Sequence, residues 1–570
     1  MKKEIYLHIM QKALEAYTDA EIDAYFSTVK QEGLTEHGFP RLCANMGILL
    51  AHGMAEGQRE RFSEMMDLVC EQIPRGKAAH DFSVKEIVLC LLELERAGTF
   101  PKEQTERWRH ALGQIRPFET YTVIAPDADT PVNNWAAFGA ASEQVRVYAG
   151  IAREEEVQDF LDIQIGSQLH SFDQNGMYRD PHEPMLYDLA TRVQLAVALH
   201  FGYGGRHKDT LLSHLDRAME LTPYLQSVTG EIPFGGRSNQ FLFNEALLAA
   251  ISEHSAARCM AHGRRDDAAI HKRVAHLATE AILRELKKEP QSHVKNRFPP
   301  KDRYGCENYA YFRKYMITLA SFCYLAYLLA DDGIPEGECP ADGSGYITHT
   351  SAHFHKTVLA AGGYFAEVEC AADPHYDGSG LGRIHKRGAP SAICLSVPFA
   401  KEPNYHLNLQ NPSQMSLCAG LLKGGKWQIG AEATCYELQE ESVSQTAVSA
   451  TFAVRFGKEC PFEETVSVAS DGVRLTARRR EGADSPLSLS VPMLVFDGVE
   501  AAAIEIVGED VILSYLGARV TYRTDGVWED TDTLYANRNG HYRLWRAVAK
   551  GGKGEVSLHI SIATATEALA

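Results

Sequence analysis

From the N-terminus to about residue 330, apolar residues recur at three- and four-residue spacings, the period of helices with one face in a core. Leu189, Val193, Ala196 and Leu199 fall on one side of a segment that follows Asp188, and Phe312, Met316, Leu319, Cys323 and Ala326 repeat the spacing. Turn clusters such as Gly202-Tyr203-Gly204-Gly205 and Phe234-Gly235-Gly236 separate these segments. Consecutive helices are therefore expected to form hairpins stacked into a ring or solenoid. Further along, the period changes to two. Thr446–Phe456, Glu464–Val468, Val473–Ala477, Leu487–Val491 and Val556–Ile562 alternate apolar with polar residues, with turns such as Asp471-Gly472 and Asp525-Gly526. That is the pattern of antiparallel strands in a meander or sandwich. The change falls across Asp331–Gly345, which concentrates acidic residues, Gly and Pro as a linker does.

The expected fold is α+β and multidomain. An N-terminal (α/α) toroid or incomplete barrel takes residues 1–335, a linker 336–345, and a C-terminal antiparallel β-sandwich 346–570. A chain of 570 residues is too long for one ordinary core, which agrees with two domains. Its average apolar and charged fractions exclude disordered, collagen-like and coiled-coil classes.

A net charge of -18 and a longest basic run of only Arg478-Arg479-Arg480 argue against a nucleic-acid partner. Local arginines can still hold a carboxylate in an acidic protein. The N-terminal stretch is interrupted by Glu4, His8 and Gln11 and reads as an amphipathic helix rather than a signal peptide. No run reaches the roughly 20 apolar residues a membrane span needs, so a cytoplasmic protein is expected. The twelve cysteines, scattered from Cys43 to Cys460 without a CxxC pair, read as reduced core residues.

Candidate chemistry gathers in a few places. Asn133, Asn134 and Trp135 stand at a helix start, where Asn also serves as a cap and Trp as core filling. Asp173–Tyr187, kept irregular by a glycine and two prolines, carries Arg179, Asp180, His182 and Tyr187. After the glycine turn come Arg237, Asn239 and Glu245, a group that either clamps a carboxylate and sugar hydroxyls or merely caps a helix. Glu307 and Tyr311 lie among phenols that suit a sugar ring. The start of the β-region is dense in histidine. His353, His355, His375, Asp377 and His385 supply the N/O ligand types of a divalent ion such as Zn, Mn or Ca, without a tight motif such as HExxH.

This order of helical toroid, linker and β-domain resembles the heparinase II/III-like polysaccharide lyases. In that family a catalytic Asn on the toroid precedes an acidic, glycine-bearing loop with a catalytic Tyr. Asn134 and Tyr187 are similarly arranged, and His375 in Asp-Pro-His-Tyr-Asp matches by position the histidine that the family's β-domain places near the cleft. The family's HxHxD-type stretch is absent. The resemblance implies β-elimination on a uronic-acid-containing oligosaccharide. Asn134, Asn133 or Arg237 would neutralise the sugar carboxylate. Tyr187, with its pKa of about 10 depressed by nearby cations, would serve as base and then acid, and His182 or His375 would share either role. The acids Asp180, Asp188, Glu245 and Glu307 leave a uronate glycoside hydrolase as an alternative. A sugar epimerase and a non-catalytic carbohydrate-binding protein are weaker ones. A homo-oligomer is compatible with the chain; no nucleic-acid or membrane partner is expected.

Overall fold

A computed structural model of the chain describes residues 1–76, 78, 80–343, 345–409, 411–480 and 485–567. Residue 344 of the expected linker lies outside the described residues.

Six helices make an inner ring: Gly38–Ala51, Val84–Ala97, Trp135–Tyr148, Met185–His200, Phe243–Ala261 and Phe312–Leu329. Each packs on the next, and the last returns to the first, so the ring closes. Their sequences account for the position. Ala136–Arg146 of the third is buried without a break, as is nearly all of Phe312–Leu329, and helices apolar or small on every side must be surrounded. Against the ring stand Glu4–Glu15, Arg59–Gln72, Lys102–Leu112, Glu154–Leu169, Lys208–Leu225 and Arg265–Glu285, one beside each inner helix. These keep a charged outer face, as in Arg265–Glu285, whose Ala268, Val274, Ala275, Ala278 and Ile282 point inward.

After Leu329 the chain crosses to antiparallel sheets. The first, of four strands, runs Tyr346–His349, Lys356–Ala361, Tyr364–Glu369 and Gly380–Lys386 in sequence order. An eight-stranded sheet extends from Ala503–Val507 to Cys435–Val443, and a five-stranded one from Val527–Asn537 to Lys426–Ile429. The period of two explains their common core. Along Glu555–Ala563 the residues Val556, Leu558, Ile560 and Ile562 are buried, and Ile560 and Leu558 pair across to Val473 and Leu475. All three sheets contribute to one apolar cluster.

The sheets dock on loops between the last inner helices. Arg383 donates to the Ile232 carbonyl at 2.6 Å, and the Phe234 amide to the Glu367 carboxylate at 3.1 Å. The hairpin end at Asn537–Gly540 reaches a second loop, with Asn539 Nδ2 on the Lys295 carbonyl at 2.9 Å and the Tyr304 hydroxyl on the Gly540 carbonyl at 3.0 Å. Among the described residues, no helix is long and apolar enough to cross a membrane.

Candidate active site at the mouth of the helical ring

Residues in or beside the first turns of all six inner helices line one cavity of about 460 Å³, within the roughly 300–1,000 Å³ range of small-ligand sites. Asn133, Asn134, Trp135, Tyr187 and Arg237 all lie on its wall.

The two adjacent amides divide their work. Asn133 Oδ1 accepts from the Trp135 amide at 3.1 Å, fixing the turn into the helix. Asn134 is 2% exposed and its Nδ2 has no hydrogen-bond partner among the described residues. An unpaired buried amide costs about 1–3 kcal/mol, and no group among the described residues offsets that cost here. Trp135 packs edge-on to Phe82 at 4.8 Å between ring centres, closing one side of the cavity.

Tyr187 stands in the first turn of Met185–His200, and its hydroxyl lies 3.2 Å from Ser238 Oγ, which lies 2.8 Å from the Tyr309 hydroxyl. The Arg237 guanidinium sits 4.4 Å above the Tyr187 ring and is held by Asp180 and by the Pro181 carbonyl at 2.7 Å. Desolvation pushes the Tyr187 phenol above its ordinary pKa; Arg237 and the Ser238 hydroxyl pull against it without reversing it. The expected depression is thus corrected, and the resting phenol is protonated. The 235–238 loop makes this assembly possible. A Cβ at Gly236 (φ +73°) would lie 2.4 Å from Pro184 Cα, so only glycine lets the loop press against the Tyr187 segment. Ser238 itself is left-handed at φ +58°, strain of the kind that gathers at functional sites.

Four expected substrate contacts lie elsewhere. Glu307 is buried with its carboxylate on Arg538 Nη2 at 2.6 Å and the Ser238 amide at 2.7 Å, so it positions the loop behind Tyr187. Glu245 receives Lys295 at 2.7 Å, and Asn239 donates to the Pro233 carbonyl at 3.2 Å. Tyr311 faces a separate surface groove beside Thr18 and Pro299. Arg179 does border the cleft. An adjoining groove of about 400 Å³ shares Asn133 with the cavity and continues past Arg179 and Asp180 to His353 of the β-region. His182 lies exposed near Asp373, and His375 is held by Asp373 at 2.8 Å; neither lines the cavity or this groove. His353 is the β-region histidine that borders it.

The five candidate metal ligands do not converge. His355 is held between Glu369 and Glu183, the latter at 2.7 Å, while His385 is enclosed by Ser227, Thr229 and Ser396 at 2.9–3.0 Å. Asp377 is buried near Glu369 and Lys356, and burial raises its pKa to about 7. The cation among these acids is Lys356, whose ammonium pairs with Glu369 and lies 3.8 Å over the Phe234 ring. Among the described residues no three His, Cys, Asp or Glu side chains gather to hold a metal. The residues present do not fit a divalent ion, because strand geometry and local acids hold each one apart.

Sequence reading missed His37, Arg41, Lys314 and Tyr315, all on the cavity wall with Tyr309, one of the phenols grouped with Glu307. A signal was present: Arg41 and the Arg313-Lys314 pair interrupt otherwise apolar helix starts, Gly38–Ala51 and Phe312–Leu329. Charged residues are seldom placed in such surroundings without a purpose.

No family model matches the chain, and no curated protein matches it. Solved structures do. Heparinase III superposes with a TM-score of 0.50 at 8% identity, covering 92% of this chain and 77% of the other. A second heparinase III gives 0.50 at 9% identity, over 92% and 79%. Chondroitin AC lyase from Streptomyces coelicolor gives 0.47 at 11% identity, over 100% and 80%. The chain has the fold of heparinase III, a helical toroid followed by antiparallel sheets, and at this identity the likeness is one of fold.

Proposed function

We propose that the chain is a lyase that cleaves uronic-acid-containing oligosaccharides by β-elimination in the toroid cavity. The observation that carries this reading is the joint presence, on one wall, of the unpaired Asn134 amide and the Tyr187 phenol under Arg237. Asn134 donates to the sugar carboxylate, so charge developing there as the adjacent C–H proton leaves is stabilised in a site largely closed to water. The C–H electrons form the new C=C bond as the glycosidic C–O bond breaks, and the departing oxygen takes a proton. Tyr187, protonated at rest, suits that second transfer directly. For it to accept the first proton as well, its own must first leave through the Ser238 hydroxyl and the Tyr309 phenol to solvent, which Tyr309 reaches, and the proton it then takes from carbon is the one it gives to the departing oxygen. The heparinase III fold supports the same reading.

The hydrolase alternative needs two free carboxyl groups beside the bond. Its four candidates are engaged: Asp180 by Arg237, Asp188 by Arg192, Glu245 by Lys295 and Glu307 by Arg538. The test is incubation of the purified chain with uronate oligosaccharides, followed by ultraviolet absorbance and mass spectrometry. Rising absorbance of a conjugated uronate with no gain of water is expected. Cleavage with added water and no absorbance would replace the lyase with a hydrolase.

A further inference from the structure

Two successive residues of the four-stranded sheet touch the two loops that carry Tyr187 and Arg237, and a single carboxylate holds both residues. Glu369, fully buried at the end of strand Tyr364–Glu369, stands opposite Lys356 in the antiparallel pair and takes its ammonium on one oxygen. The other oxygen takes His355 Nδ1 and the Ala371 amide, the latter at 2.9 Å. Neighbours on a strand point to opposite faces. His355, just ahead of strand Lys356–Ala361, departs from that alternation with left-handed backbone at φ +40°, and both side chains meet Glu369.

Each of the two cations reaches one loop. His355 Nε2 binds Glu183 at 2.7 Å, four residues before Tyr187, and His182 and Glu183 are themselves left-handed at φ +65° and +56°. Lys356 Nζ lies 3.8 Å over the ring of Phe234, three residues before Arg237, and a Cβ at Gly235 (φ +124°) would stand 3.0 Å from it. Left-handed backbone at residues other than glycine persists only where its surroundings hold it. The charges here match: with a pKa of about 10 His355 is cationic at neutral pH, so Lys356 and His355 face Glu369 and Glu183. The loops they hold meet at close range, Arg237 4.4 Å above the Tyr187 ring and Ser238 Oγ 3.2 Å from its hydroxyl.

We propose that Glu369 is a positioning residue for the elimination: through His355 it sets the segment ending in Tyr187, through Lys356 the turn ending in Arg237 and Ser238, and so the fit of one to the other. This rests on the lyase reading for what the positioned groups do.

The test compares Glu369→Gln combined with Lys356→Met, which removes the carboxylate with one of its cations and keeps the lysine stem over Phe234, with Val556→Ala in the sheet core. Both are assayed on a uronate oligosaccharide well below their unfolding midpoints, so that each is folded. The double variant should lose about 10²-fold in kcat, the effect of a misplacement on the order of 1 Å, with a smaller change in KM, while Val556→Ala keeps the wild-type kcat. A kcat in the double variant close to wild type, or an equal loss in Val556→Ala, would overturn the positioning role. Should the double variant not fold, Lys356→Met alone, in which Glu369 keeps His355 and the Ala371 amide, is read by the same criteria. If the wild type turns over no uronate oligosaccharide, the lyase reading fails and crystal structures of wild type and variant decide the positioning by themselves. Arg237 should then leave the Tyr187 ring in the variant, and an unchanged separation removes the role of Glu369.

Discussion

The toroid cavity and the seam between toroid and sheets are built from the same materials, buried cations and polar side chains, and pair them to different degrees. At the seam each cation has its acid: Lys356 on Glu369, Arg538 on Glu307 at 2.6 Å, and Lys295 between Glu231 and Glu245 at 3.0 and 2.7 Å. In the cavity Arg41 and Arg237 have acids as well, but among the described residues Arg41 Nη2, Asn134 Nδ2 and His37 Nδ1 have no partners and Lys314 makes no salt bridge. Paired groups fix one domain on the other. Unpaired ones leave stabilisation to a ligand, the usual exchange of stability for function. Substitutions in the cavity should therefore change turnover and spare stability, and substitutions at the seam should lower stability.

The sharpest break is expected at Tyr187. Tyr187→Phe removes the proton-transfer group and leaves the ring under Arg237, so turnover should fall about 10²- to 10⁴-fold with an unchanged unfolding midpoint. Near-normal turnover would take Tyr187 out of the mechanism. Glu307→Gln is the counterpart at the seam. It leaves Arg538 buried without its counter-ion, and loss of one partner of such a pair costs about 3–5 kcal/mol. Denaturant unfolding should show the loss, and Glu307→Gln combined with Arg538→Met should recover part of it. If the double variant is no more stable than the single one, the pair is not what holds the hairpin end to the toroid.

The architecture was legible because periodicity reports burial. Leu189, Val193 and Ala196 are buried on an inner helix, and the alternation at Val556–Ile562 lies in a core strand. Asn134 and Tyr187 were legible as polar groups at helix starts. Arg41 and Lys314 were not, because a charge at the start of an apolar helix shows its value only once the ring places it on the cavity wall. The metal set failed for a related reason. Nearness in sequence does not make side chains converge: His353 borders the groove while His355, two residues on, pairs with Glu183 and Glu369. The acids that occupy His355 come from elsewhere in the chain, where sequence reading could not pair them.

Asn134 sharpens the contrast from the cavity side. If its amide serves the transition state, Asn134→Ala should lower kcat about 10²- to 10³-fold, the cost of one lost oxyanion donor. The variant should be no less stable than the wild type, because the lost donor had no partner among the described residues to leave unpaired. A clear drop in stability would mean that Asn134 is structural, and the role of carboxylate neutraliser would pass to Arg237.

The smallest effect is a pH dependence confined to the seam. Burial acts to lower the His355 pKa, but Glu369 and Glu183 outweigh it and raise it from 6.5 to about 10. A raised folded-state pKa means stabilisation fully present below 6.5 and lost as pH rises through about 10. The unfolding midpoint should therefore decline between those values, and the decline should be shallower in His355→Gln, which keeps a donor but cannot carry the charge. Other groups also titrate at alkaline pH, so the difference between the two proteins is the quantity to read. Parallel curves would show that the Glu183–His355–Glu369 bridge contributes no charge-dependent stability. Since Glu183 lies four residues before Tyr187, a convergence of the curves at high pH accompanied by loss of turnover in the wild type alone would join the seam to the cavity.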